Sequence, residues 1–268
     1  DEPPEPASLA LPGEVWKKHL TASWIAMWLK LDSFDGTTKG RQQLLDEKFA
    51  PRVRARTGRP NPRLERGKCY EPVARESFAK FAGLEMGVDI TKAPLAEHRE
   101  LPYVAAKADG LIGKDGVLEI KTPWSARTDD GVEVTLEIKH LLQVYTQMEC
   151  YDRDYAIVLM SACDGKWLHV WKIHRDCPEY HSVTHGELPL WQTMEGELDK
   201  YATAVRDGGR VDPIAGEINV TTHERIRAAL HRWSRQAVFK LRVHDPDPSM
   251  NPRGELPLMV ISGYGWER

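Results

Sequence analysis

The chain has 268 residues, of which 41% are apolar and 29% charged, and its formal net charge is −3 at pH 7. These values suit a soluble protein with one large domain, or with one domain and an appendage, and no apolar run reaches the roughly 18 residues that cross a bilayer. The negative charge disfavours a non-specific nucleic-acid coat, although it is compatible with a local basic track. The four cysteines are scattered, which predicts neither a disulfide framework nor a zinc or iron–sulfur site.

The N-terminal third is predicted to be mainly helical. Apolar residues at helical spacing predict helices over 13–31, 40–50 and 69–83. Thr21 or Ser23 can cap a second helix inside the first of these segments, and Gly83 suits the end of the third. Between the second and third, a stretch rich in Arg and Pro over 51–68 predicts a basic loop or a helix–loop junction.

The middle of the chain predicts a β-hairpin followed by further helices and strands. A strand over 103–112 and a second over 117–122 are joined by a Lys-Asp-Gly turn and should pair. The pattern then predicts, in order, a helix over 138–150, strands over 155–160 and 167–173, and a helix over 191–206. This order predicts an α/β (α+β) fold with a central mixed β-sheet flanked by helices.

The two ends of the chain are predicted to differ from this core. Residues 1–12, rich in Pro and Glu, predict a flexible acidic tail. Residues 13–209 contain the predicted sheet and its helices, and form the predicted main domain. Residues 210–268 predict a C-terminal helical appendage built on one helix over 222–239.

Residues suited to chemistry are concentrated at the hairpin. Because strand side chains alternate, Glu119 and Lys121 share one face while Leu118 and Ile120 point into the core. Asp109, at the end of the first strand, should come beside Glu119. Neighbouring carboxylates repel unless a proton or cation lies between them, and Mg²⁺ prefers hard oxygen ligands. The sequence therefore predicts a magnesium site in which Lys121 orients or activates a water. The alternative is an exposed Glu–Lys strand with an incidental Asp.

Polar residues on two predicted helices can reach this site. Glu71 lies at the border of the apolar face of the helix over 69–83. Gln143 and Gln147 lie one turn apart, and so on one face, of the helix over 138–150.

Taken in order, these residues resemble the lambda exonuclease and YqaJ-like viral recombinase branch of the PD-(D/E)xK nuclease superfamily. The matching pieces cover roughly residues 15–175 and are 20–23, 67–75, 108–111, 118–123 and 142–144. The resemblance implies a restriction-endonuclease-like core. It also implies a Mg²⁺-dependent 5′→3′ exonuclease that hydrolyses double-stranded DNA to mononucleotides and leaves 3′ single strands for recombination.

The resemblance assigns a role to each matching residue. The metal ligands it implies are the side chains of Glu71, Asp109 and Glu119 and the backbone carbonyl of Ile120. They would hold two Mg²⁺ ions, for which Mn²⁺ can substitute. Lys121 would activate the attacking water, and Gln143 would help to place it. The usual second Gln after Gln143 is Tyr145 here, with Gln147 as a candidate replacement.

A pocket for the DNA 5′-phosphate is also implied by the resemblance. Ser23 and Arg127 match a serine and an arginine that hold this phosphate, and hydroxyl and guanidinium donors suit it chemically. Where the family has an arginine before the serine, this chain has Lys17 and Lys18. Lysine is not a bidentate donor, so the phosphate pocket departs from the family pattern more than the metal site does.

A run of arginines lies between Ser23 and Glu71 in the chain. We interpret it as a track for the DNA backbone rather than as a solvated loop, and its members are Arg52, Arg54, Arg56, Arg59, Arg63 and Arg66. The partners expected from the resemblance are double-stranded DNA ends, a single-strand annealing protein and further copies of the chain in a ring-shaped trimer.

Two alternative functions remain open at this point. One is a structure-specific or site-specific endonuclease of the same superfamily, and the other is a catalytically inactive DNA-binding or recombination-partner module. No signal-peptide pattern opens the chain, and we expect no membrane association. The expected location is the cytoplasm, or the nucleus for a protein of a eukaryotic virus.

Overall fold

The computed structural model describes residues 19–29, 31, 41–49, 61–123, 136–162, 167–175, 190–207, 224, 237–242 and 260–261. Its helices are α1 Ala22–Trp28, α2 Arg41–Phe49, α3 Pro62–Phe81, α4 Ile138–Tyr151 and α5 Leu190–Arg206. Its strands are β1 Leu20–Thr21, β2 Ile90–Thr91, β3 Ala96–Glu97, β4 Val104–Ala106, β5 Gly110–Ile112, β6 Gly116–Lys121, β7 Tyr155–Ala162, β8 Trp167–His174, β9 Ala237–Arg242 and β10 Val260–Ile261. None of the described helices is long and apolar enough to cross a membrane.

The strands form one large and one small sheet. The large sheet has the order β10-β9-β8-β7-β6-β5-β2, and the small sheet has the order β1-β4-β3. In the large sheet β6 and β7 are parallel, whereas the other neighbours are antiparallel. A helix, α4, makes the connection between the two parallel strands, as parallel pairing requires. The predicted mixed sheet flanked by helices is confirmed.

Both faces of the large sheet are buried under helices. Leu118 and Ile120 of β6 belong to a buried cluster with Phe78 of α3. Val117 belongs to a second cluster, which includes Val144 of α4. Side chains alternate along β6, so its remaining residues on the Val117 side are directed toward α4. The predicted site residues of β6 therefore lie beneath a helix rather than on an open face.

Helix α3 begins earlier than predicted. It starts at Pro62, and the side chain of Asn61 accepts a hydrogen bond from the backbone N–H of Arg63 at 3.0 Å. An Asn cap followed by Pro in the first helical position is a favourable helix start. Residues 62–68, predicted as a loop or junction, are therefore helical. A π-helical turn, Ala82–Met86, continues α3 and ends at Gly87, which has φ +64°, so Gly83 does not end the helix.

The predicted strand over 103–112 is divided in two. Its first part, β4, belongs to the small sheet, whereas β5 pairs with β6 in the predicted hairpin. Residues 107–109 lie between them and carry Asp109. Gly110, the first residue of β5, lies very close to β2. A Cβ atom added at this position would lie 3.0 Å from the side chain of Ile90 and 3.3 Å from the carbonyl oxygen of Thr91. The hairpin itself is confirmed.

The helix predicted over 13–31 is wrong at Leu20–Thr21, which form β1, and is confirmed over Ala22–Trp28, which form α1. The other predicted helices and strands largely match the structure. The helices over 40–50, 138–150 and 191–206 and the strands over 155–160 and 167–173 are present with small changes at their ends. Thr21 precedes α1, but its side chain makes no capping hydrogen bond.

The C-terminal segment contributes strands to the large sheet. Residues 237–242 form β9, which pairs with β8, and β10 pairs in turn with β9. The predicted helix over 222–239 is therefore wrong at its C-terminal end. A wholly helical appendage is wrong for the same reason, whereas the boundary at residue 209 stays a prediction.

A buried histidine near the small sheet accepts hydrogen bonds through its ring. His98 is buried and stacks on Trp191 with ring centroids 4.7 Å apart. Its Nδ1 accepts hydrogen bonds from the backbone N–H groups of Glu100 and Leu101 at 3.2 and 3.0 Å, which requires an unprotonated nitrogen. Burial lowers the pKa of His98 below its usual 6.5.

We expect this histidine to destabilise the protein in acid. The neutral ring of His98 stabilises the fold fully above pH 6.5. This stabilisation is lost as the pH falls toward the lowered folded-state pKa of His98, because the unfolded chain binds a proton that the folded chain does not. The substitution His98→Asn keeps a hydrogen-bond acceptor but removes the titrating ring. Below pH 6.5 the unfolding free energy of this variant should therefore fall less steeply than that of the unmodified protein, and the two slopes should differ by up to about 1.4 kcal/mol per pH unit. Urea titrations across this range measure the difference, and parallel curves for the two proteins would contradict the assignment.

Candidate active site

The centre of the site is the carboxylate of Glu119, which is held from several sides. Its side chain is 4% exposed, and Lys121 Nζ lies 2.5 Å from Glu119 Oε1. Gln143 Nε2 donates to the same oxygen at 2.6 Å, while Gln143 Oε1 accepts from Lys121 Nζ at 2.8 Å. The prediction that Glu119 and Lys121 share one face of the strand is confirmed, and Gln143 lies next to both.

Asp109 lies beside the same strand. Its backbone N–H donates to the carbonyl oxygen of Leu118 at 3.0 Å, which continues the hairpin ladder past β5. Its Oδ2 accepts from the backbone N–H of Ile120 at 2.7 Å, so the side chain turns toward the residue between Glu119 and Lys121. The break between β4 and β5 thus places an acidic side chain against the charged end of β6.

Burial and mutual repulsion disfavour the charged forms of these carboxyl groups. Burial raises the pKa of Glu119, and the charge of Asp109 raises it further, whereas Lys121 opposes the shift. Burial also raises the pKa of Asp109, against the hydrogen bond from Ile120. Two partly desolvated carboxylates that interact in this way favour a proton or a cation between them.

Glu71 approaches the site from α3, on the other side of the sheet. Its pKa is raised by burial and then by the charge of Asp109. Its Oε1 accepts from Arg75 Nη2 at 2.8 Å, one helical turn further along. Arg75 therefore offsets the charge of Glu71. Glu71 also lies close enough to Asp109 for their charges to interact, as expected from the predicted position of Glu71 at the border of the apolar face of its helix.

A cleft of about 530 Å³ opens beside this cluster. Its walls include the C-terminal end of β6, from Ile120 to Pro123, together with residues from the start of α3 and α4, namely Arg63, Glu137, Lys139 and His140. Lys139 Nζ pairs with Glu137 Oε2 at 2.6 Å. Burial lowers the pKa of His140 to about 3, so this ring is neutral and the positive charges of the cleft come from the Lys and Arg side chains.

The predicted DNA-binding residues have different surroundings. Arg63 lines the cleft, whereas Arg66 is buried with its guanidinium carbon 4.7 Å above the ring of Tyr70. Ser23 is exposed, and its Oγ lies 3.4 Å from Thr21 Oγ1. Lys17, Lys18 and Arg127 lie outside the described residues, as do the other four arginines of the predicted track.

Several residues around the site were not assigned a role from the sequence. Arg75 follows Glu71 by four residues, a spacing that suits a helical ion pair. Lys139 and His140 reach the cleft because α4 begins there, which depends on the tertiary fold. Gln147 differs from these residues, because the sequence already indicated it as a candidate replacement for the second Gln, and it donates to Glu119 Oε2 at 2.6 Å.

The donor set fits a hard divalent cation. Within the described part of the chain, no three acidic, histidine or cysteine side chains form a ready metal cluster, so the predicted three-carboxylate convergence is not formed. Asp109 nevertheless lies against the strand that carries Glu119, and its charge raises the pKa of Glu119. These two carboxylates suit Mg²⁺, which commonly takes one or two together with water and phosphate oxygens. The metal itself stays a prediction.

Comparisons with solved structures identify a shared fold. The chain is similar to LHK-Exo in complex with dAMP, with 21% sequence identity, a TM-score of 0.51 and coverage of 73% of this chain and 91% of that one. It is likewise similar to the structure of LHK-Exo, an alkaline exonuclease from Laribacter hongkongensis, with 21% identity, a TM-score of 0.50 and the same coverage. At this identity the likeness shows the fold, and it confirms the predicted core.

The sequence itself shows the family. No curated protein matches the chain significantly. The profile of the YqaJ-like viral recombinase domain matches residues 14–154, which include α3, the hairpin and α4. The match covers more than half of the chain and contains every residue of the site around Glu119. The chain therefore belongs to the YqaJ-like viral recombinase domain family.

Proposed function

We propose that this protein is a Mg²⁺-dependent deoxyribonuclease that degrades double-stranded DNA from 5′ to 3′, releases mononucleotides and leaves 3′ single strands for recombination. The observation that carries the proposal is the cluster in which Lys121 and Gln143 both contact Glu119, with Asp109 against the same strand. The membership of a recombinase family supports it. LHK-Exo, which shares the fold, is an alkaline exonuclease crystallised with dAMP, a mononucleotide.

The residues of the site have separate roles in this proposal. Asp109, Glu119 and the backbone carbonyl of Ile120 would hold Mg²⁺ or Mn²⁺, with Glu71 serving a second ion or its waters. Bound metal would lower the pKa of a ligated water and neutralise charge on the phosphate. Lys121 orients and activates the attacking water through Nζ, and Gln143 keeps that group in place. Water adds to phosphorus, the P–O3′ bond breaks, and a 5′-phosphate and a 3′-hydroxyl result.

The cleft beside β6 is proposed to receive the DNA backbone. Arg63 is exposed on its wall, and the side chain of Lys139 is 41% exposed. Such charges bind phosphates independently of base sequence. Ser23, Arg127, Lys17 and Lys18 are proposed to hold the terminal 5′-phosphate, and Arg66 to support the backbone track. An annealing protein as partner and a trimeric ring stay predictions.

The direct test is digestion of defined DNA. A linear duplex with a 5′-phosphate and a different fluorophore at each end is incubated with the full chain and Mg²⁺, beside the same duplex without phosphate and a closed circle. We expect mononucleotides from 5′ ends, faster cleavage of the phosphorylated duplex and an intact circle. Cleavage of the circle would favour the endonuclease, and no cleavage with either Mg²⁺ or Mn²⁺ would favour the inactive DNA-binding module.

A double substitution tests the cleft. Arg63→Ser with Lys139→Ser should weaken DNA binding and reduce the slope of log affinity against log salt by about 2, since each phosphate contact on duplex DNA contributes roughly 0.9. Fluorescence anisotropy over a salt series measures this slope. Lys80→Ser, which removes an exposed charge near the far end of α3, is the control. An unchanged slope in the double variant would place the DNA elsewhere.

A further inference from the structure

One face of α4 carries a row of polar side chains directed at the active site. Gln143, Gln147 and Tyr151 follow one another at intervals of four residues, and each contacts β6 or the segment that precedes β5. Tyr145 occupies the position at which the resemblance implies a second Gln. Its side chain is fully buried, and its ring centroid lies 5.9 Å from that of Trp191. Gln147 is thus the second glutamine that reaches Glu119.

Gln147 contacts the carboxylate oxygen that the other donors do not. Its Nε2 donates to Glu119 Oε2 at 2.6 Å, whereas Lys121 and Gln143 both contact Oε1. The same Nε2 lies 3.4 Å from the carbonyl oxygen of Lys107, two residues before Asp109. One amide group therefore links the strand that carries Glu119 to the segment that carries Asp109.

The orientation of this amide leaves an acceptor unused. Gln147 is fully buried, and its Oε1 has no hydrogen-bond partner among the described residues. Such an unmatched buried group costs about 1–3 kcal/mol. Rotating the amide would direct Oε1 at the carboxylate of Glu119, which repels it. A side chain that serves packing alone would be apolar, so the buried donor points to a requirement for the hydrogen bond to Glu119.

We propose that Gln147 is a positioning residue of the metal site, which fixes Glu119 Oε2 and its distance from the Asp109 segment so that both carboxylates are preorganised for a divalent cation. This inference rests on the proposed function, because it assigns Gln147 a part in metal binding. Partners that orient a metal ligand typically change metal affinity by 10- to 100-fold when they are removed. Without Gln147, Glu119 would keep its contacts at Oε1 but could rotate about them.

The test compares two buried substitutions on the same helix in the full chain. Gln147→Met keeps the length of the side chain and removes the amide. Thr146→Val is the matched control, because Thr146 is fully buried, and its hydroxyl donates to the carbonyl oxygen of Leu142 at 2.8 Å. Mn²⁺ and Mg²⁺ affinities are measured by isothermal titration calorimetry, and cleavage of a 5′-phosphorylated duplex is measured across metal concentrations.

We expect Gln147→Met to bind Mn²⁺ 10- to 100-fold more weakly, and its cleavage rate to recover in large part at saturating metal. Thr146→Val should bind metal within about twofold of the unmodified protein, as expected for a change that leaves every ligand and its partners in place. Wild-type affinity in Gln147→Met, or equal losses in the two variants, would overturn the inference while leaving the nuclease assignment intact. Absence of metal binding by the unmodified chain would instead overturn the proposed function.

A second measurement needs no variant and applies if Gln147→Met does not fold. In the unmodified chain labelled with ¹⁵N at glutamine side chains, two amide resonances should be protected from solvent and should shift on Mg²⁺ addition at one common midpoint. They would belong to Gln143 and Gln147. Nuclear Overhauser effects to neighbouring residues of α4 assign the two resonances. If the Gln147 amide does not shift with the metal, Gln147 is not coupled to the site and the inference fails.

Discussion

Replacing Lys121 with methionine is expected to reduce the rate of DNA cleavage by about 10²- to 10⁴-fold, the usual contribution of a positioned proton-transfer group. Methionine keeps an unbranched side chain of similar length but lacks the ammonium group that lies 2.5 Å from Glu119 Oε1 and 2.8 Å from Gln143 Oε1. The attacking water would then lose the group that orients and activates it. DNA affinity should change little, because contacts to phosphates supply most of it.

Single-turnover cleavage and anisotropy measurements on the same labelled duplex separate these two effects. Lys114→Met is a suitable control, since Lys114 is exposed in the turn of the same hairpin, between β5 and β6. It should cleave DNA at the rate of the unmodified protein. Metal-dependent cleavage by Lys121→Met at an undiminished rate would remove Lys121 from the mechanism and count strongly against the PD-(D/E)xK assignment.

The charged hairpin was predictable from the sequence because its geometry is local. Alternation along a strand places Glu119 and Lys121 together whatever the rest of the chain does. The Lys-Asp-Gly turn fixes the neighbouring strand, and with it the approach of Asp109 to the backbone of Ile120. Short-range rules therefore sufficed for the centre of the site.

Features that depend on distant parts of the chain were missed or placed wrongly. Residues 103–112 read as one strand, since nothing in their pattern shows that β4 pairs with β1 and β3 while β5 pairs with β6. Residues 237–239 continued a helical pattern, but pairing with β8 makes them a strand. Burial of Glu119 under α4 likewise follows from the crossover between β6 and β7, which no local signal reveals.

Affinity for Mg²⁺ is expected to rise steeply with pH, because the cation must displace protons from the same carboxyl groups. Burial raises the pKa of Glu119 and Glu71 above their usual 4.5 and that of Asp109 above its usual 3.8. Within the range where these groups are still partly protonated, each proton released on binding increases the affinity by up to about tenfold per pH unit. Above their folded-state pKa values the dependence should level off.

The stabilisation of the protein by metal against thermal denaturation should depend on pH. A carboxyl group whose pKa is raised in the folded state stabilises the fold while it is protonated, and this contribution is lost as the pH rises from its unfolded value through its folded one. Without Mg²⁺ these three groups therefore make the protein less stable toward neutral pH. With excess Mg²⁺ the cation replaces the proton, so the increase in Tm on metal addition should grow over the same range.

Calorimetry in buffers of different ionisation enthalpy measures the proton release directly. Glu119→Gln removes one titrating group together with its charge, so this variant should release fewer protons and show a smaller pH dependence of Mg²⁺ affinity. The comparison separates the site from the other acidic groups of the chain, which titrate equally in both proteins. If metal binding released no protons at any pH where the carboxyl groups titrate, a cation could not be bound by Asp109 and Glu119, and the chemistry derived from their proximity would have to be abandoned.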